Sequence, residues 1–158
     1  MARARHEEVT ESALVGRAQK RNTHAVGGDV DQRRRLRVLL VDDEPDMLAL
    51  LQAVVVAESW EVVGRATSGA DALRVAERIE PDVAIVDYRM PEMDGLELAG
   101  RLKSIWPEIV LVMFSAMDVE ADAMASGHVE RFVRKGDLRI LRSELDEIYA
   151  ERFGAGPA

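Results

Sequence analysis

Several apolar runs in this chain end in residues able to handle a phosphoryl group. Val38-Leu39-Leu40-Val41 leads directly into Asp42-Asp43-Glu44, Val83 to Val86 into Asp87, and Ile109 to Phe114 into Ser115. Lys135 follows Arg131 to Val133 at one remove. Carboxylates crowded together repel one another unless a cation lies among them. Hard oxygen donors of this kind suit Mg²⁺, which keeps several waters and takes one or two carboxylates together with phosphate oxygens. With such an ion in the array, Asp87 reads as a nucleophile towards phosphorus, and Lys135 and Ser115 would add positioning and charge neutralisation. Taken singly, each residue has a plainer explanation. Acids in a first helical turn complement the helix dipole, Ser115 could cap the next helix, and Lys135 could be a surface lysine. The chemistry therefore depends on elements that bring these residues to one place.

From Leu36 onward, short Val/Ile/Leu runs alternate with longer amphipathic stretches. Strands are expected at Leu36 to Val41, Glu61 to Arg65, Val83 to Val86, Ile109 to Phe114 and Arg131 to Val133. Helices are expected at Pro45 to Ala57, Gly69 to Ile79, Leu96 to Ile105, about Val119 to Ala125, and Leu138 to Arg152. Pro45 suits a first helical turn, Ser68 can cap, and Pro81 and Pro107 stop helices ahead of strands. In the last helix Leu138, Leu141, Leu145 and Ile148 make one core-facing stripe. Five strands each followed by a helix predict a doubly wound α/β fold, a five-stranded parallel sheet with helices on both faces. Ligands of such sheets sit beyond the carboxyl ends of the strands. All the candidate residues follow strands, so they share that edge. A dinucleotide or FMN fold would put glycine or hydroxyl residues after the first strand. Acids in that turn admit a phosphate only with something positive in between.

The chain has 158 residues, one domain's worth, of which 47% are apolar. Residues 1–35 carry a net charge of +3 and the remainder −11, so direct DNA binding by the folded part is not expected. No apolar run approaches the roughly 20 residues that span a bilayer, and no cysteine is present. These features predict a cytoplasmic protein without disulfides. Residues 1–35 lack a sustained apolar period and are expected to form a disordered or weakly helical extension. Val30 is an alternative chain start, because the foldable pattern begins only at Leu36. Residues 36–153 form the expected domain, with a flexible tail over 154–158.

Four segments together carry a family likeness: Val38-Leu39-Leu40-Val41-Asp42-Asp43-Glu44, Asp87-Tyr88-Arg89-Met90-Pro91-Glu92-Met93-Asp94-Gly95, Ser115-Ala116, and Lys135. They resemble the receiver domain of two-component response regulators of the chemotaxis-regulator type, over about Leu36 to Phe153. The resemblance implies a flavodoxin-like sheet of strand order 2-1-3-4-5. It implies that Asp87 accepts a phosphoryl group from a histidine kinase or histidine phosphotransfer protein. Mg²⁺ would be held by Asp42, Asp43, Asp87 and the backbone carbonyl of Arg89. Ser115 would move to bond the new phosphoryl oxygen and Phe132 would turn inward behind it. The surface of the fourth helix, fifth strand and fifth helix would then change and control a downstream protein partner; a homodimer could form through the same surface. Gly136 stands where many receivers have proline, and the span from Ser115 to Lys135 is about two residues short, which predicts a short fourth helix. Arg89 and Met117 occupy places that tune phosphoryl lifetime in relatives.

After Lys135 there is room for one helix, so the protein is expected to act by binding another protein or by passing its phosphoryl group onward. One competing reading is a pseudo-receiver, a constitutive interaction module with an intact but unused site. Another is an aspartate-nucleophile phosphatase. Those enzymes use a second Asp two residues after the nucleophile, and here that place holds Arg89, which cannot cycle a proton at neutral pH.

Overall fold

The computed structural model describes residues 34–154. Most of the expected extension over residues 1–35, the alternative start at Val30 and the tail after Gly154 lie outside the described residues. In chain order the elements are β1 (Arg37–Val41), α1 (Pro45–Ala57), β2 (Glu61–Ala66), α2 (Gly69–Arg78), β3 (Val83–Val86), α3 (Gly95–Ile105), β4 (Val110–Ser115), α4 (Glu120–Ala125), β5 (Arg131–Arg134) and α5 (Leu138–Phe153). The strands form one parallel sheet in the order β2-β1-β3-β4-β5. This is the doubly wound architecture that the alternating pattern predicts.

The sheet has a core on each face because its central strands are apolar at every position. Leu39 and Val41, Ala84 and Val86, and Leu111 and Met113 point to one side, where α2, α3 and α4 cover them with Ala72, Ala76, Leu98, Leu102 and Ala123. The intervening Val38, Leu40, Val83, Ile85, Val112 and Phe114 meet Leu48, Leu51 and Val55 of α1 and Leu141, Leu145 and Ile148 of α5. Each such aliphatic side chain contributes about 1.5–3 kcal/mol when fully buried. The α5 stripe is the expected one, with Leu138 packed at its margin.

Helix starts follow the capping chemistry. Ser68 Oγ accepts from Asp71 N at 3.1 Å, Asp94 Oδ1 from Glu97 N at 2.9 Å and Asp137 Oδ1 from Ile140 N at 3.2 Å. Helix α4 has no such cap, runs for 6 residues and buries Ala123. It is as short as the sequence predicts. One boundary matters for the site: Ser115 is the last residue of β4 and not the first of a loop. Its backbone still pairs with Arg134 of β5, and its carbonyl accepts from Lys135 N at 3.0 Å. The peptides of the described residues are all trans. Among those residues no helix is long and apolar enough to cross a membrane.

Candidate functional site

The parallel ladder carries the acids to neighbouring strand ends. Asp42 N donates to Ala66 O at 3.1 Å, and Asp87 N donates to Val41 O at 2.9 Å, so both backbones continue the sheet's hydrogen bonding by one residue. Asp42 Oδ1 then accepts from Glu44 N at 2.9 Å, which turns the chain so that Pro45 can open α1. On the other side of Asp87, the bond between Lys135 N and Ser115 O holds the ends of β4 and β5 together. Gly136 follows with φ 98°, a left-handed conformation open to glycine, and hands the chain to the Asp137 cap.

The side chains converge. Lys135 Nζ lies 2.9 Å from Asp42 Oδ2 and 3.2 Å from Asp87 Oδ2. Oxygens of Asp42, Asp43 and Asp87 all fall within 4.8 Å of one another. Asp42, Asp87 and Ser115 are buried, at 1%, 5% and 1% exposure, while Asp43 is more open. Ser115 Oγ accepts from Met117 N at 3.1 Å, so it neither caps α4 nor faces bulk water. Asp43, Asp87, Ser115 and Lys135 border a cavity of about 540 Å³, walled also by Glu44, Arg89, Met90, Pro91 and Met117, while Asp42 lies behind that wall and is joined to it through Lys135. Phe132 is half-buried and packs against the core beneath α2, α3 and α4.

The charges do not balance. Burial raises the Asp87 carboxyl above its usual range, and the Asp42 and Asp43 charges push it further, while Lys135 opposes them. Burial works to lower the Lys135 ammonium, but its pairing with Asp42 and Asp87 outweighs this and holds it above the usual lysine value. One ammonium among three carboxylates leaves a net negative site. Asp42 Oδ2 is buried, and its neighbour of opposite charge is the Lys135 ammonium at 2.9 Å, which it shares with Asp87. A hard divalent cation with oxygen preference fits this donor set and would answer the surplus negative charge. Asp43, Asp87, Arg89, Ser115 and Lys135 therefore line the cavity, Asp42 joins them through Lys135 from beneath, and Phe132 packs in the core instead. Sequence reasoning missed the packing of Met93 against Gly69, a contact between residues 24 positions apart that no local pattern encodes.

A parallel sheet of this order, with buried acids and a lysine at its carboxyl edge, defines a signalling domain of the receiver type. Residues 38–142 match the family model of the response regulator receiver domain, and the chain belongs to that family, whose members serve phosphorylation-based signalling. It is 34% identical over 127 residues to the transcriptional regulatory protein PdtaR of Mycobacterium tuberculosis, covering 79% of this chain. The match spans 62% of that relative's length. The chemotaxis protein CheY of Listeria monocytogenes is 32% identical over 102 residues, 63% of this chain and 86% of that protein. Among solved structures, a CheY-like receiver from Methanospirillum hungatei superimposes with TM-score 0.70 at 21% identity, covering 75% of this chain and 97% of that one. The response regulator TrrA of Thermotoga maritima, solved with Mg²⁺ and beryllofluoride, gives 0.66 at 27% identity, covering 71% and 97%.

Proposed function

We propose that this chain is a phosphorylation-dependent switch whose Asp87 accepts a phosphoryl group from a histidine kinase or a histidine phosphotransfer protein. The observation that carries this reading is the pair of buried acids Asp42 and Asp87 gathered on one ammonium, Lys135, with Asp43 beside them to leave the cluster net negative. An Asp87 oxygen forms a P–O bond as the P–N bond of the donor phosphohistidine breaks. The bonding electrons stay on the imidazole nitrogen, which takes up a proton. Lys135, kept protonated by its carboxylate neighbours, exchanges part of its contact with Asp87 for a phosphoryl oxygen. Bound by Asp42, Asp43, Asp87 and the Arg89 carbonyl, Mg²⁺ would supply the positive charge that lets a phosphoryl anion approach acids.

Ser115 already has its Oγ engaged as an acceptor, which leaves its hydroxyl hydrogen to donate to the new phosphoryl oxygen. Phe132 then turns inward, and the surface of α4, β5 and α5 shifts between two populations to control a protein partner. Arg89, exposed beside Asp87, cannot act as an acid/base, which supports slow water-driven loss of the group and a regulator rather than an enzyme. The working unit is residues 36–153, acting in the cytoplasm. The test is transfer of label from a phosphorylated kinase or from acetyl phosphate in the presence of Mg²⁺. Wild-type protein should take up label and Asp87→Asn should not; label retained by that variant, or none on the wild type, sinks the reading.

A further inference from the structure

The loop from Asp87 to Asp94 carries the Arg89 carbonyl and lends Met90 and Pro91 to the cavity wall, yet it contains no helix or strand. Its base is closed tightly: Gly95 N donates to Tyr88 O at 2.8 Å, and a Cβ on Gly95 would stand 2.4 Å from Asp87 O. Its tip is strained. Glu92 has φ 69°, a conformation that costs a non-glycine residue on the order of 1 kcal/mol and persists only where the surroundings enforce it. Met93 N donates to Pro91 O at 2.8 Å and closes the turn around Glu92, and the Met93 side chain anchors it. Met93 lies flat on Gly69, the first residue of α2: a Cβ on Gly69 would stand 2.7 Å from Met93 Sδ and 3.1 Å from its Cβ and Cγ. Gly69 is itself fixed, being buried and directly after the Ser68 cap.

We propose that Met93 and Gly69 are a positioning pair for the metal site. The thioether seated on Gly69 holds the tip of the loop in its left-handed turn, and so sets where the Arg89 carbonyl stands relative to Asp42, Asp43 and Asp87. The start of α2 thereby becomes part of the site's support, although no residue of α2 lines the cavity. A bare glycine at position 69 is what leaves room for the contact. The inference rests on the Mg²⁺ reading given above.

The test is calorimetric titration of Mg²⁺ into the full chain, paired with thermal melting of the metal-free protein. Gly69→Ala places a methyl beneath Met93, Met93→Ala removes the seated side chain, and Met93→Leu refills the seat. The two alanine variants should each bind Mg²⁺ about tenfold more weakly, the lower end of the effect typical of outer groups that orient metal ligands. Met93→Leu should bind nearly as wild type. The Gly69→Ala/Met93→Ala double variant should bind about as Met93→Ala alone, since the Sδ at 2.7 Å is gone and the added methyl meets only the remaining Cβ at 3.1 Å. Unchanged affinity in both alanine variants, or losses that merely follow the melting temperature, would overturn the pairing. Gly69→Ala carries the test if Met93→Ala does not fold. Wild-type protein that takes up no Mg²⁺ removes both readings, whereas tight wild-type binding with indifferent variants removes this one alone.

Discussion

Asp87 is a strained anion in the metal-free protein, because burial and the charges of Asp42 and Asp43 favour its protonated form. A carboxyl whose folded pKa is raised lends the fold stability that is full below its ordinary value, about 3.8, and is lost as pH climbs through the folded value. Asp87→Asn should therefore raise the melting temperature in chelator at pH 7 by roughly 3–5 °C, corresponding to about 1 kcal/mol in a domain of this size. The gain should vanish when the same melts are run below about pH 3.8. Lys135→Ala acts in the opposite sense. It strips the ammonium from two buried carboxylates and should cost about 3 kcal/mol at neutral pH by denaturant unfolding. Acids at strand ends were legible in the sequence because topology alone gathers them. The atoms were not: that Lys135 pairs with Asp42 as well as Asp87, and that Ser115 remains inside β4, depends on a ladder register no local pattern encodes.

Capping and packing set the worth of each element. Ser68→Ala removes the hydrogen bond to Asp71 N and should destabilise the fold by about 1 kcal/mol, read from the urea midpoint. Helix α4, with no side-chain cap and with Ala123 as its buried residue, should exchange its amide hydrogens well before α1 or α5. The shortness of that helix was readable from the small residues between Ala123 and Gly127, and the other helices from periodicity and their starting residues. What the sequence concealed are ties between distant elements. Trp106 Nε1 donates to Ala76 O at 2.7 Å, joining the ends of α3 and α2. Asp82, buried at the start of β3, accepts from Arg37 N at 2.9 Å and pairs with Arg152 of α5 at 3.3 Å. Partners separated by 30 or 45 positions leave no period to detect.

For the molecule as a whole, the proposed metal site would make stability a function of divalent cation. Mg²⁺ that binds the folded chain and not the unfolded one should stabilise it by about 2.7 kcal/mol at a hundred times its Kd. Melting curves should fall back on chelation and should not respond in Asp42→Asn. The sheet adds a further consequence. Phe132 belongs to the layer under α2, α3 and α4, and its neighbour Val133 to the layer under α1 and α5. In the proposed switch, remodelling that begins at Phe132 reaches the opposite layer only where β5 meets α5, so the α1 side would stay as a fixed chassis. A partner gripping α1 would then remain aboard through a full signalling cycle, while one reading α4, β5 and α5 is gained or shed.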